Sequence, residues 1–206
     1  MNKKNICVEG NIGAGKTTVA KRLAEYYHAS LMLENFENNP YLKFFYQDPS
    51  QHALQLELSF LADRFKQQKE FLHIEKNIVS DYLFDKSLIF AEINLQYDEL
   101  NIFKSAFWEA KKQIKSPDVI IFLDATEDLL QKNIKKRGRD YEANIPSDYI
   151  QKISNSYYKH LKSLKHACPV IWVDVKEYDL VLNNQHFNRL LEIIEGYSVN
   201  NIYYFK

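Results

Sequence analysis

The stretch Gly10-Asn11-Ile12-Gly13-Ala14-Gly15-Lys16-Thr17, followed by Thr18, decides the fold class. It has the spacing G-x-x-x-x-G-K-T, it follows the apolar run Ile6-Cys7-Val8, and a helix-like stretch begins near Lys16. A strand that turns through glycines into a helix aims successive backbone N–H groups into one concavity, an arrangement that holds a polyphosphate. Lys16 adds a positive charge for the β and γ phosphates of a nucleoside triphosphate, and the Thr17 hydroxyl is placed to ligate Mg²⁺. Three of the chain's five glycines fall within these eight residues, so glycine is concentrated where the loop needs it.

Working outward, five short runs rich in β-branched or apolar residues read as strands: Asn5 to Glu9, Leu31 to Phe36, Asn77 to Asp81, Asp118 to Asp124 and Pro169 to Asp174. Longer stretches with helical periodicity separate them. Strands alternating with helices predict an α/β fold with a mostly parallel sheet covered on both faces, and the ligand crevice at the carboxyl ends of the strands. Four runs end at or near an acid (Glu34, Asp81, Asp124, Asp174), so several carboxylates are expected at the edge that carries the glycine loop.

The helix-period stretches supply apolar stripes. Ser50 to Ile74 carries Leu54, Leu58, Leu61, Phe65 and Leu72; Leu100 to Ile114 carries Phe103, Phe107 and Trp108; Pro146 to Leu164 carries Ile150, Ile153, Tyr157 and Leu161. Core packing is the simplest use of these stripes, and a homodimer interface is a second. Thr126, followed by Glu127 and Asp128, reads as a helix N-cap. The tyrosine-rich tail from Tyr197 to Lys206 is too short to assign.

At 206 residues, one domain spanning 1–206 is expected. Lys plus Arg and Asp plus Glu number 27 each, so the net charge is zero, and a nonspecific binder of nucleic-acid polymers is disfavoured. The N-terminus enters a strand pattern at once, and no apolar run reaches membrane-spanning length. A cytoplasmic protein with no membrane attachment is expected. Cys7 and Cys168 make no disulfide framework, and no His/Cys grouping has metal-ligand spacing.

Lys135-Lys136-Arg137-Gly138-Arg139-Asp140-Tyr141-Glu142 narrows the chemistry. Alternating arginines can close over a phosphate chain and neutralise charge during phosphoryl transfer, and a glycine between them suits a lid. The other reading is an exposed basic helix end.

Together, GNIGAGKT, Glu34, NPYLKFFYQDPSQHALQLELSFLADR (39–64), SDYLFDKSLIFA (80–91) and RGRDYE (137–142) resemble the deoxynucleoside kinase family over roughly Asn5 to Asp174. The resemblance is greatest to the bacterial deoxyadenosine and deoxyguanosine kinase-like branch, which includes kinase domains fused to a pterin pyrophosphokinase. It implies a five-stranded parallel sheet, ATP as donor with Mg²⁺, and transfer to the 5′-hydroxyl of a deoxynucleoside. It also implies Glu34 as general base, with Glu37 as its nearest rival. Tyr46 and Glu142 become ligands of the sugar 3′-hydroxyl, Arg137 and Arg139 the lid arginines, and the stretch from Asp174 to Asp179 the loop around the donor adenine.

Two positions depart from the family pattern. Glu57 stands where the family glutamine reads the base, with Arg64 retained seven residues later; a register shift would use Gln55 instead. Seven residues are two helical turns, so Glu57 and Arg64 share a face and can pair with each other or address a ligand between them. A carboxylate that accepts from N–H groups beside an arginine that donates fits a purine, and guanine slightly more than adenine. Second, the family's acid-arginine pair after the third strand is Asp81-Tyr82 here. Lys86, one helical turn on, can replace the missing charge, as can Arg64; Asp81 keeps a role near Mg²⁺. If neither cation serves, nucleotide binding without efficient transfer results. The expected activity is therefore Mg·ATP-dependent phosphorylation of a deoxynucleoside, most simply a purine one, in nucleotide salvage. A nucleoside monophosphate kinase and a nucleotide-binding regulatory module are the alternatives.

Overall fold

In the computed structural model, which describes residues 4–36, 39–74, 76–139, 142, 145–164, 168–196 and 202–205, the run before the glycine loop becomes the central strand of a parallel sheet. The elements are β1 (Asn5–Gly10), α1 (Lys16–Tyr26), β2 (Ser30–Met32), α2 (Leu42–Gln47), α3 (Pro49–Phe71), β3 (Ile78–Ser80), α4 (Lys86–Asn94), α5 (Tyr97–Lys111), β4 (Val119–Asp124), α6 (Glu127–Arg137), α7 (Ser147–Ser163), β5 (Val170–Asp174), α8 (Asn184–Gly196) and β6 (Ile202–Tyr204). Strand order is β2-β3-β1-β4-β5-β6, every neighbouring pair parallel. The chain leaves β1 toward β3 on one side and returns to β4 on the other, and that reversal opens a crevice at the carboxyl end of β1.

Side-chain alternation along the strands builds two cores. Ile6, Val8, Val119, Ile121, Leu123, Ile171 and Val173 face α1 and α8, with Leu23, Leu190 and Ile194 packed on them. Cys7, Ile120, Phe122, Val170 and Trp172 face the other way, toward Ile153, Tyr157 and Leu161 of α7. A third cluster joins α3, α4 and α5 through Leu61, Leu88, Phe103 and Phe107. Burying a ring such as Phe107, fully enclosed here, is worth about 1.5–3 kcal/mol.

The sheet has six strands, one more than expected. Ile202–Tyr204 of the tyrosine-rich tail adds a parallel edge strand beside β5; three residues leave too little periodicity to read, and only the pairing with β5 makes them a strand. β2 is shorter than the expected Leu31–Phe36 because its next backbone groups are taken by side chains: Gln67 donates to the Leu33 carbonyl and Glu34 N–H donates to Asp81.

α3 starts at the Asp48-Pro49 step, where the Asp48 carboxylate accepts from the Gln51 N–H and Pro49 occupies the first turn. Its buried face is Ala53, Leu56, Glu57, Phe60, Leu61 and Arg64. Of the stripe expected there, only Leu61 is buried, because the helix turns two charged residues inward and Leu72 lies past its end. On α5, Trp108 is 52% exposed and does not join Phe103 and Phe107 in the core. The α7 stripe packs as expected. Thr126 occupies the N-cap of α6 with Glu127 and Asp128 in the first turn, but its side chain makes no capping hydrogen bond. No helix among the described residues is long and apolar enough to cross a membrane.

Candidate active site

A cleft of about 1040 Å³ opens at the carboxyl ends of the strands. Its floor is the glycine loop. Gly13 adopts φ +83°, and a Cβ there would stand 2.8 Å from the Leu130 carbonyl, so only glycine lets the loop pass against α6. Two asparagines fasten the loop. Asn11 donates to the Ile150 carbonyl and Ser154 Oγ of α7, and Asn133 of α6 donates to the Gly13 carbonyl. Lys16 Nζ donates to the carbonyls of Gly10 (2.9 Å) and Asn11 (3.0 Å). Burial and the nearby Lys86 ammonium lower its pKa to about 8.

Above the loop stands Glu34, with both carboxylate oxygens engaged. Oε1 accepts from Arg64 Nε (2.9 Å) and a terminal guanidinium nitrogen (2.5 Å), while Oε2 accepts from Lys86 Nζ (2.6 Å). Burial alone would favour the neutral acid, but Lys86 and Arg64 outweigh it and hold the group ionised, well below the usual carboxylate range. Asp81 links this residue to the loop: Oδ1 accepts from the Glu34 N–H (2.8 Å) and Oδ2 from the Thr17 hydroxyl (2.5 Å). Thus Lys16, Thr17, Glu34, Arg64, Asp81 and Lys86, predicted separately along the sequence, line one cleft.

Farther along α3, Glu57 lies 2% exposed. It does not pair with Arg64, whose guanidinium is turned to Glu34 and Ser87 Oγ; its Oε1 instead accepts from Asn94 Nδ2 at 2.7 Å. Tyr46, at the end of α2, lines the same region. Gln55 is exposed and is not among the residues that line the cleft, whereas Glu57 is.

Arg137 closes α6 and Gly138 ends it in the left-handed conformation, φ 67°. Both lid arginines turn to Glu142: Arg137 pairs with Oε2, and Arg139 lies 3.5 Å from Oε1. Arg139 also sits 4.2 Å from the Phe36 ring centroid, joining this segment to the loop that carries Glu34. Glu142, expected at the sugar, is here the anion that gathers both arginines. The segment after β5 contributes Val175, Lys176 and Tyr178 to the cleft.

Other expected carboxylates serve the scaffold. Asp124 accepts from the Tyr158 hydroxyl and Trp172 Nε1, and Asp174 from the Lys176 N–H. Tyr82 is fully buried beside Met32 and Ile78, and its hydroxyl donates to Gln67 Oε1 at 2.6 Å; the position of the family arginine therefore does not line the cleft. Glu37, Asp140 and Tyr141 lie outside the described residues. Sequence reasoning missed Glu9, fully buried under the loop, which accepts from the N–H groups of Gly10 and Leu83 and from the Tyr157 hydroxyl. Burial raises its pKa against the pull of Lys86 and Lys16. The available signal was a carboxylate inside the otherwise apolar Ile6-Cys7-Val8-Glu9 run. Asn94 and Asn133 had no such signal.

The family model for deoxynucleoside kinase matches residues 6–198. This chain belongs to the deoxynucleoside kinase family. It is 35% identical over 192 residues to deoxyguanosine kinase of Bacillus subtilis (strain 168), covering 90% of this chain and 93% of that one. It is 28% identical over 197 residues to the deoxyadenosine/deoxycytidine kinase of the same organism, covering 92% and 90%. The fold matches a structure of deoxyadenosine kinase from M. mycoides with products dCMP and a flexible dCDP bound, at TM-score 0.83 and 24% identity, over 94% of this chain and 100% of that one. This deoxynucleoside kinase is thus a phosphotransferase.

Proposed function

We propose that the protein is a single kinase domain that transfers the γ-phosphoryl group of Mg·ATP to the 5′-hydroxyl of a deoxynucleoside, a purine one for preference. The observation that carries this reading is Glu34, a carboxylate kept ionised by two cations in the same cleft as the glycine loop. Oε1 already accepts twice from Arg64, so it is Oε2, which accepts once from Lys86, that retains lone-pair capacity to accept from a hydroxyl. In this reading Glu34 accepts the 5′-hydroxyl proton as the oxygen attacks phosphorus, with Arg64 and Lys86 orienting the carboxylate. Lys16 exchanges the loop carbonyls for β and γ phosphate oxygens, and the loop N–H groups complete the cradle. Arg137 and Arg139 take up charge that develops on the transferred group, leaving Glu142 free for the sugar.

The donor set offered to Mg²⁺ is the Thr17 hydroxyl and an Asp81 carboxylate oxygen, 2.5 Å apart. No cluster of three His, Cys, Asp or Glu forms a metal cage among the described residues. That set suits a hard cation that keeps waters and takes its remaining ligands from phosphates; when bound, the ion neutralises phosphate charge. A homodimer is part of the proposal, supported by the exposed Trp108 on α5, as is a cytoplasmic location.

The test is turnover with Mg·ATP against deoxyadenosine, deoxyguanosine, deoxycytidine, thymidine and their monophosphates, with Glu34→Gln as control. A deoxynucleoside should be phosphorylated and the monophosphates should not. Glu34→Gln should lower kcat by about 10²–10⁴, the range for loss of a general base. Transfer to a monophosphate, or full activity in the variant, would overturn the assignment.

A further inference from the structure

Resting on that reading of the cleft, we infer that the Glu57–Asn94 pair is a two-state base reader: ionised, Glu57 selects guanine, and protonated, it selects adenine or cytosine. The geometry fixes which oxygen carries the proton. Asn94 Nδ2 donates to Oε1 at 2.7 Å, so Oε1 is held as an acceptor in both states. Oε2 is buried, has no hydrogen-bond partner among the described residues, and belongs to a side chain that lines the cleft. A buried polar atom without a partner is costly unless something arrives to complete it.

The charged neighbours do not settle the state of Glu57. On α3 itself Arg64 faces it, and from α4 Lys86; both cations are bonded to Glu34, which adds a negative charge from the loop after β2. From α7 the Tyr149 phenol faces it. Burial dominates and raises the carboxyl, the Asn94 hydrogen bond, Arg64 and Lys86 pull it down and Glu34 pushes it up, which together bring it to about 7, where either form is accessible.

The two forms present different edges. A carboxylate accepts from the adjacent N1–H and N2–H of guanine. A neutral carboxyl donates from Oε2 to a ring nitrogen and accepts at Oε1 from the neighbouring exocyclic amine, the pattern of adenine N1/N6 and cytosine N3/N4. The glutamine of the family pattern has no charge to lose. With each base taken by one form only, the ratio of kcat/KM for deoxyguanosine to that for deoxyadenosine rises by up to about tenfold per pH unit. Steps common to both substrates, including the titration of Lys16, cancel in this ratio.

The decisive experiment measures calorimetric binding of each nucleoside to the wild-type protein near pH 7, in buffers of different ionisation enthalpy, together with the kcat/KM ratio from pH 6 to 8. Deoxyguanosine should release protons and deoxyadenosine should take them up, and the ratio should climb with pH. Glu57→Gln should flatten the ratio. Proton counts of the same sign for both nucleosides, or a ratio that still depends on pH in Glu57→Gln, overturn the two-state reader and leave the kinase reading standing. Absence of binding or phosphorylation for both nucleosides removes the purine reading of the cleft and this inference with it.

Discussion

Lys86 Nζ lies 2.6 Å from Glu34 Oε2, joining the first residue of α4 to the loop behind β2. Neither side chain is more than 10% exposed, so the pair is one of desolvated charges in which each depends on the other. The contact puts a cation beside the candidate base although the family's arginine position holds Tyr82.

Lys86→Ala is expected to lower kcat by at least about tenfold, the lower end for removing a charge contact in phosphoryl transfer. Single-turnover measurements with Mg·ATP and the preferred deoxynucleoside check it. Unchanged turnover would leave Arg64 alone as the substitute for the missing arginine.

Glu34→Gln leaves Arg64 and Lys86 buried without their anion, and stability at neutral pH should fall by about 3–5 kcal/mol. The folded-state pKa of Glu34 is depressed, so its contribution is fully present above the unfolded value near 4.3 and is lost as pH falls below it. Urea melts of both proteins should converge as the pH is taken below about 4. A constant difference between them down to pH 3 would count against the ion pairs as the source.

For Lys16, the sign runs the other way. Its ammonium is the form that binds phosphate, and it is lost above about 8. kcat/KM for ATP should decline by about tenfold per pH unit beyond that value, since this ratio reports the free enzyme. The limb in kcat should lie at higher pH, because bound phosphates favour the ammonium. A kcat/KM profile flat to pH 9.5 would exclude the titration.

Tyr82→Phe removes the donor to Gln67, the residue that holds the Leu33 carbonyl just before Glu34. The expected loss is about 1 kcal/mol of stability. Tyr82→Arg would bury a cation beside Met32 and Ile78, lowering Tm without raising turnover. A gain in kcat from the arginine would show that this position reaches the reacting groups after all.

What could be read along the chain was whatever local spacing encodes. The glycine loop, the helix-period stretch from Ser50 and the seven-residue interval from Glu57 to Arg64 each depend on neighbours in sequence, and each was legible. Tertiary choices were not. Arg64 meets Glu34 across thirty residues and Glu57 meets Asn94 across thirty-seven, so the expected options at that helix face could not be decided from spacing. Asp124 and Asp174 matched Asp81 in pattern, yet Tyr158 of α7 and Trp172 of the neighbouring strand claimed the first, and the backbone N–H of Lys176, two residues on, claimed the second. β6 exists only because β5 offers it an edge.

The clasp between Asn133 and the Gly13 carbonyl sets how far the arginines can travel. Swinging α6 as a whole would break that bond and lift Leu130 and Ile134 out of the core. In the proposed reading, movement that admits and releases nucleotide is therefore left to the last turn of α6, a short arm pivoting at Asn133. Its reach is counted in residues. Inserting one helical residue between Asn133 and Arg137 would push the first guanidinium outward by about 1.5 Å and rotate it by roughly 100°. The arm would then miss the phosphates even though the loop beneath it kept its shape.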